Sequence, residues 1–349
     1  MFAGILLAVL SGVLLGICFL PMRYMKQFAW ENTWFVWVLS GCVILPCLIA
    51  YLSIPSLFQV FREVGLRLNL IVLAVGLVAG TSGIMVGRAL GKVGLTLANS
   101  LANGVSLVIG SFVPLAIQHR GVLHSKIGLV IVAGLGLAVV GVVLCAIAGS
   151  QRNYESAYMQ IDYRAGTRVA AIALQGIALS IGAGLLTPLQ NLGMAFADNY
   201  MKVARAHGAS EIFMTFAFYV PYLGTSFVSN GIFCGNLWRK NHTLHQFKES
   251  SAIPYTLMAV GMAGIWMLGM LLYGWAMPWL GTYGPVIGWP VMLASTNVGA
   301  AVVEYFYGDW KGRPLRTLSY GLLALTLSIA CFAGLNSMMQ IGHIPNAHH

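Results

Sequence analysis

The chain has 349 residues, of which 58% are hydrophobic and only 8% charged, against roughly 25% charged in an ordinary soluble domain. This excludes a soluble globular fold and indicates an all-α integral membrane protein, because segments of roughly 20 apolar residues are what a hydrocarbon core about 30 Å thick requires. The net charge of +10 would suggest a nucleic-acid partner in a soluble protein. Here the basic residues are scattered singly and in pairs through short loops, so they read as topology signals and no nucleic acid is expected.

Ten transmembrane segments can be placed, at 2–21, 33–53, 68–87, 93–117, 127–148, 168–195, 210–236, 254–276, 285–307 and 315–338. With the N terminus outside, the inner loops hold Arg23, Lys26, Arg88, Lys92, Arg152, Arg164, Arg168, Arg239, Lys240, Lys248, Lys311, Arg313 and Arg316. The outer loops hold only Arg62, Arg67, Arg120, Lys126, Lys202 and Arg205. Lysine and arginine accumulate on the cytoplasmic side, so both termini are expected outside.

The first segment, MFAGILLAVLSGVLLGICFLP, has no basic n-region and no clear small-residue cleavage site, and reads as a retained span rather than a signal peptide. The second opens with Trp30, Trp34 and Trp37, as in an aromatic belt at the inner interface. Residues 54–67 carry two aromatics and both signs of charge, and read as an outer loop with a short interfacial helix.

The stretch from Arg88 to Gly110 has a degenerate second copy from Trp279 to Gly299. Each contains a tight Leu-Gly-x-x-Gly turn, Leu90 to Gly94 and Leu280 to Gly284, roughly half the chain apart. The first turn is basic and the second uncharged, so the copies are expected to lie upside down relative to one another. In the fourth span Asn99, Asn103, Ser106 and Gly110 share one helical face. That face reads either as a helix packing site, where small residues and an asparagine bind a neighbour, or as the wall of a cavity for a polar solute.

Residues 150–167 are the most polar stretch, without apolar periodicity, and are expected to form a flexible inner linker between halves 1–149 and 168–349. SIGAGLLTPLQNLG in span six resembles SGVLLGICFLP in span one, small residues preceding a proline. Five spans per half is an odd number, which inverts the second half, and inverted repeats are a transporter design.

Gln190 and Asn191 follow Pro188, where a kink would free backbone groups; they read as caps for that kink or as substrate ligands. Span eight carries Trp266, Tyr273 and Trp275. Sugars stack their C–H faces on aromatic rings while their hydroxyls need amides, so these rings with the Asn and Gln residues suit a carbohydrate. An interfacial belt is the other reading for Tyr273 and Trp275. In span nine Asn297, Ala300, Ala301 and Glu304 share a face. Glu304 is the one of the nine acids placed inside the hydrocarbon, and desolvation disfavours its charged form, which suits a proton carrier. The alternative is an interfacial Glu304 paired with Arg88 or Lys311. Asp198 and Glu211 lie at outer helix ends and read as solvated.

All six cysteines, Cys18, Cys42, Cys47, Cys145, Cys234 and Cys331, fall in apolar spans without a C-x-x-C pair and read as buried thiols. There is no H-E-x-x-H, no G-x-S-x-G and no close acid pair in a span, and the histidines lie in loops or the tail. No enzyme, metal site or cofactor is therefore expected, and no selectivity-filter motif marks a channel.

The run CFLPMRYMKQFAWENTWFVWVLSG, the hairpin GRALGKVG, the span-eight pattern WMLGMLLYGW and the segment GDWKGRPLRTLSYG resemble, in order along nearly the whole chain, the L-rhamnose-proton symporters of the drug/metabolite transporter superfamily. The resemblance implies a ten-helix carrier in a bacterial inner membrane, taking up a deoxy sugar with a proton by alternating access. It carries over to Arg88 with Leu90 and Gly91, to Trp266, Tyr273 and Trp275, and to Trp310 with Arg313 and Pro314. Gly269 stands where the family has a glutamine, and Gly80 and Ser82 stand where it has asparagines, so the sugar need not be rhamnose. Export or carriage of another small metabolite, as in related branches, stays the alternative. The expected substrate ligands are Asn99, Asn103, Gln190, Trp266, Tyr273 and Asn297. Glu304, without an assigned counterpart in the family, is expected to carry the proton on physical grounds alone.

Overall fold

Inside hydrocarbon every backbone N–H and C=O must be satisfied within the chain, which leaves the helix as the form for segments this apolar. The computed structural model describes residues 2–118, 125–158, 166–250, 252–281 and 284–341, and among them every regular element is helical. The long helices are α1 (Phe2–Ile17), α2 (Trp30–Leu39) continued by a π-helical turn (Ser40–Ile44) into α3 (Leu45–Ser53), the short α4 (Leu57–Val64), α5 (Leu66–Val93), α6 (Leu95–Gln118) and α7 (Lys126–Tyr158). They continue as α8 (Gly166–Leu186), α9 (Pro188–Ala206), α10 (Phe216–Asn241), α11 (Ala252–Leu280), α12 (Gly284–Phe306) and α13 (Gly312–Ile341). Short 3-10 helices cover Leu20–Tyr24 and Thr243–Lys248. Eight segments of the described residues are long and apolar enough to cross a membrane; α6 and α10 are helical over expected spans but are not among them.

Helix packing follows the small residues. A Cβ on Gly12 or Gly16 of α1 would collide with the carbonyls of Met292 or Thr296 on α12, so the two backbones touch. This is how membrane helices associate where water supplies no hydrophobic drive. Gly184 of α8 likewise lies against the Ala102 carbonyl of α6, and Gly76 of α5 against the Tyr222 carbonyl of α10. Thus α1 packs on α11 and α12, α8 on α5 and α6, α5 on α10, α2 on α10 and α11, and α7 along α13.

Polar contacts gather at two opposite ends. At one, Arg23 makes a forked pair with Asp309 at 2.9 and 3.1 Å, Lys92 reaches Gln175 at 3.1 Å, and Glu31 accepts from Asn241 and Thr243 at 2.9 and 2.6 Å. At the other, His207 meets Glu63 at 3.0 Å, and Arg205 meets Glu211 at 3.0 Å. The first group joins loops and helix ends expected inside, the second loops and helix ends expected outside.

Several local expectations change. Trp34 and Trp37 are only 1% and 6% exposed; α2 turns its indoles inward onto α10 and α11, so they form no lipid-facing belt. The stretch 150–167 begins as helix, since α7 runs to Tyr158, and α8 starts at Gly166; residues 159–165 lie outside the described ones. The Leu90–Gly94 turn is a one-residue joint, Gly94 at φ +80°, between α5 and α6. In the second turn Gly281 is likewise left-handed, and residues 282–283 lie outside the described ones. Of the cysteines Cys47 is exposed on the helix surface, whereas Cys18, Cys42, Cys145 and Cys234 are buried.

Because Gly16 lies against the Thr296 carbonyl, Gly16→Val is expected to cost about 1–3 kcal/mol of stability by overpacking. A lowered unfolding midpoint in detergent checks this; an unchanged midpoint would refute the close contact.

Candidate functional site

The antiparallel faces of α6 and α12 hold a seam of polar groups. At one end Thr96 bonds Glu304 through both its hydroxyl and, at 3.4 Å, its backbone N–H. One turn further along α6, Ser100 donates to the Asn297 carbonyl oxygen at 3.1 Å, and the Asn297 amide in turn donates to the Leu293 carbonyl at 2.9 Å. Asn99 and Asn103 follow on α6, 7% and 8% exposed. The Asn103 amide nitrogen and the Ser106 and Ser295 hydroxyls are buried with no hydrogen-bond partner among the described residues. The Ser106 carbonyl accepts the Trp289 indole at 3.3 Å, and beyond it the Gly110 carbonyl accepts Asn191 at 2.8 Å. Buried donors and hydroxyls without partners are uncommon and call for an explanation.

Glu304 stands where this seam meets a vestibule of about 380 Å³, within the roughly 300–1,000 Å³ typical of small-molecule pockets. Phe19, Arg23, Trp30, Arg152 and Asp309 share its wall with Glu304. The Glu304 carboxylate is buried and pairs with Arg152 at 2.9 Å, side chains 6% and 15% exposed. The Arg152 guanidinium lies over the Trp310 ring, 4.6 Å from its centroid. It also crowds Gly94, where a Cβ would come within 2.7 Å of a guanidinium nitrogen. The positive φ of that joint and the approach of Arg152 both demand glycine. Glu304 is therefore paired, but with Arg152 rather than Arg88 or Lys311: Arg88 faces the Trp30 ring at 5.8 Å.

The remaining candidates fall elsewhere. Tyr273 is fully buried, donating to Asn191 at 2.9 Å, so it forms no interfacial belt. Gln190 donates to the Met270 sulfur at 3.3 Å, and Trp266, one turn before Met270 on α11, meets Trp37 edge-on at 5.5 Å. Beside Pro188 the Thr187 hydroxyl bonds the Ala183 carbonyl at 2.8 Å, while the Gln190 and Asn191 amides reach the Met270 sulfur and the Gly110 carbonyl. Of the seven residues singled out, Glu304 alone lines the vestibule; Asn99, Asn103 and Asn297 lie along the seam, and Gln190, Trp266 and Tyr273 on or against α11. Thr96, Ser100 and Arg152 escaped the sequence reading. Thr96 and Ser100 sit four apart, a usable signal, whereas Arg152 falls in the stretch read as linker.

The glycines that depart from the resembling family have packing reasons. Ser11 of α1 donates to the Gly269 carbonyl at 2.7 Å, and a side chain there would press on Leu15. Gly80 lies against the α10 backbone, and an amide still reaches that place from α10, since Asn230 donates to the Gly80 carbonyl at 2.9 Å.

A family model described as L-rhamnose-proton symport protein (RhaT) matches residues 1–338. Curated relatives include an L-rhamnose-proton symporter of Yersinia pestis (strain Pestoides F), 22% identical over 330 residues, covering 91% of this chain and 94% of that protein. Another, of Salmonella gallinarum (strain 287/91 / NCTC 13346), carries the same description and is 23% identical over 335 residues, again 91% and 94% of the two chains.

Removing one partner of a buried pair strands the other charge. Arg152→Ala is expected to destabilise the protein by about 3 kcal/mol, and adding Glu304→Gln should restore most of the loss. Thermal unfolding of the single and double variants measures the coupling; strictly additive losses would show that the pair contributes nothing.

Proposed function

The chain belongs to the L-rhamnose-proton symport protein family, and from that premise we propose that it takes up L-rhamnose or a related deoxy sugar together with a proton. The family is one of carriers, and no covalent chemistry is required of any residue. The observation that carries the proton step is the burial of Glu304 between Thr96 and Arg152 at the head of the seam. A carboxylate there can be neutralised in two ways, by the Arg152 guanidinium or by a proton, and exchange between them couples proton binding to the freedom of α7 relative to α12. Asn99, Asn103 and Asn297 are assigned to sugar hydroxyls, with Gln190, Trp266 and Tyr273 on the α11 side.

The proposed architecture is ten membrane-crossing helices in two inverted five-helix halves, 1–149 and 168–349, working by alternating access in a bacterial inner membrane with both termini outside. The packing supports it. Exchanging each helix for its counterpart turns α1 on α11 and α12 into α8 on α5 and α6, turns α5 on α10 into α11 on α2, and leaves α7 on α13 unchanged. All of these pairings are present, as a pseudo-two-fold axis in the membrane plane requires. The close contacts of Gly12 and Gly16 with α12 and of Gly184 with α6 are related in the same way.

In proteoliposomes, L-rhamnose should accumulate when the outside is acidic and fall to the equilibrium level when a protonophore collapses the gradient. Glu304→Gln should abolish proton movement with the sugar while leaving sugar exchange across the bilayer. Rhamnose uptake indifferent to the protonophore would sink the coupling; a Glu304→Gln variant that still moves protons would remove Glu304 from it.

The orientation is tested separately. Single cysteines at His207 and Lys311 in a cysteine-free background should label from opposite sides with a membrane-impermeant maleimide, His207 from outside. Labelling of both from one side would overturn the topology.

A further inference from the structure

The three indoles of α2 have different fates. Trp30 donates to the Gly87 carbonyl at 3.1 Å and Trp34 to Asn230 at 2.8 Å. The Trp37 nitrogen is buried with no acceptor among the described residues. Buried tryptophans normally find a partner for that N–H, so the vacancy wants a reason.

Trp37 also occupies the middle of a continuous aromatic column. Trp30 stacks on Trp34 at 5.0 Å, Trp34 meets Trp37 at 4.7 Å, and Trp37 meets Trp266 at 5.5 Å. Phe19 packs edge-on against Trp37 at 5.0 Å and, with Trp30, forms part of the vestibule wall. One ring thus separates Trp37 from the vestibule, and Trp37 in turn touches Trp266 halfway along α11. Directly after Trp37 the helix widens into the π-turn Ser40–Ile44, just before Pro46, and brings Gly41 against the Trp266 ring. Single π-turns inside membrane or soluble helices gather at functional sites.

We infer that Trp37 is a substrate-contact residue whose indole N–H donates to one hydroxyl oxygen of the sugar, with the Trp266 ring as the adjoining apolar wall. This rests on the sugar reading above and deepens it. An indole offers both things a deoxy sugar recognises, a ring face or edge for its C–H groups and a directed donor for a hydroxyl. Phe19 is then the ring that moves aside to admit the sugar from the vestibule, and Trp34, whose donor is already engaged by Asn230, holds Trp37 in place.

The test is a mutant-by-ligand cycle on purified full-length protein in detergent. Dissociation constants by calorimetry are measured for L-rhamnose and for its derivatives lacking one hydroxyl each, on the parent and on Trp37→Phe. On the parent, one derivative should bind about five- to tenfold more weakly than L-rhamnose, the size of one lost hydrogen bond. On Trp37→Phe, L-rhamnose and that derivative should bind alike. If the variant discriminates every derivative as the parent does, the assignment of Trp37 is overturned while the sugar reading stands. If the parent binds no deoxy sugar at all, the sugar reading falls and this assignment with it. Should Trp37→Phe fail to fold, Trp37→Met, whose flexible side chain fills irregular space, takes its place in the same cycle.

Discussion

Glu304 draws three helices together: the hydroxyl of Thr96 arrives from α6, the guanidinium of Arg152 from α7, and α12 supplies the carboxylate itself. A carboxylate surrounded by hydrocarbon persists only with a countercharge or a proton, so the end of α7 and the first turn of α6 are held where α12 needs them. Gly94 makes that approach possible, being both left-handed and without a side chain where Arg152 lies. The vestibule takes its shape from the same contacts, with Arg23 and Asp309 paired on its wall.

Two kinds of surface run inward from that vestibule. The α6–α12 seam presents hydroxyls and amides, and the column from Trp30 to Trp266 presents rings. Helix α1 packs on both α11 and α12 and so joins the two. Because its glycines put its backbone directly on α12, a shift of α1 cannot be absorbed by side-chain rotation and must move its neighbours as a body. On the proposed reading this rigidity makes the sugar site and the proton site change together, the property that separates a coupled carrier from a leak.

The helical membrane character and the grouping of loops at two ends were legible in the chain, because apolar run length and charge placement are answers to solvent and need no tertiary information. The segment around α4 was legible for the same reason. The site was legible only in part. Glu304 stands out as an acid in an apolar run, and Asn99, Asn103 and Asn297 stand out as amides, but their partners do not. Trp34 and Trp37 carry the composition of an interfacial belt, and only the packing of α2 on α10 and α11 turns them inward. Membrane helices are apolar all round, so the pattern that tells a soluble helix which face is buried is missing here.

Thus the sequence by itself determined the solvent, the helical class and the family, all of which depend on residues near one another in the chain or on its overall order. Tertiary structure alone decided that Glu304 pairs with Arg152, 152 positions away, that Tyr273 is engaged by Asn191, and that the Trp37 donor meets no acceptor among the described residues. Those outcomes depend on which helix faces cross and how closely. In a bilayer that is set by the close fit of small residues between backbones, a three-dimensional match that no single stretch of sequence contains.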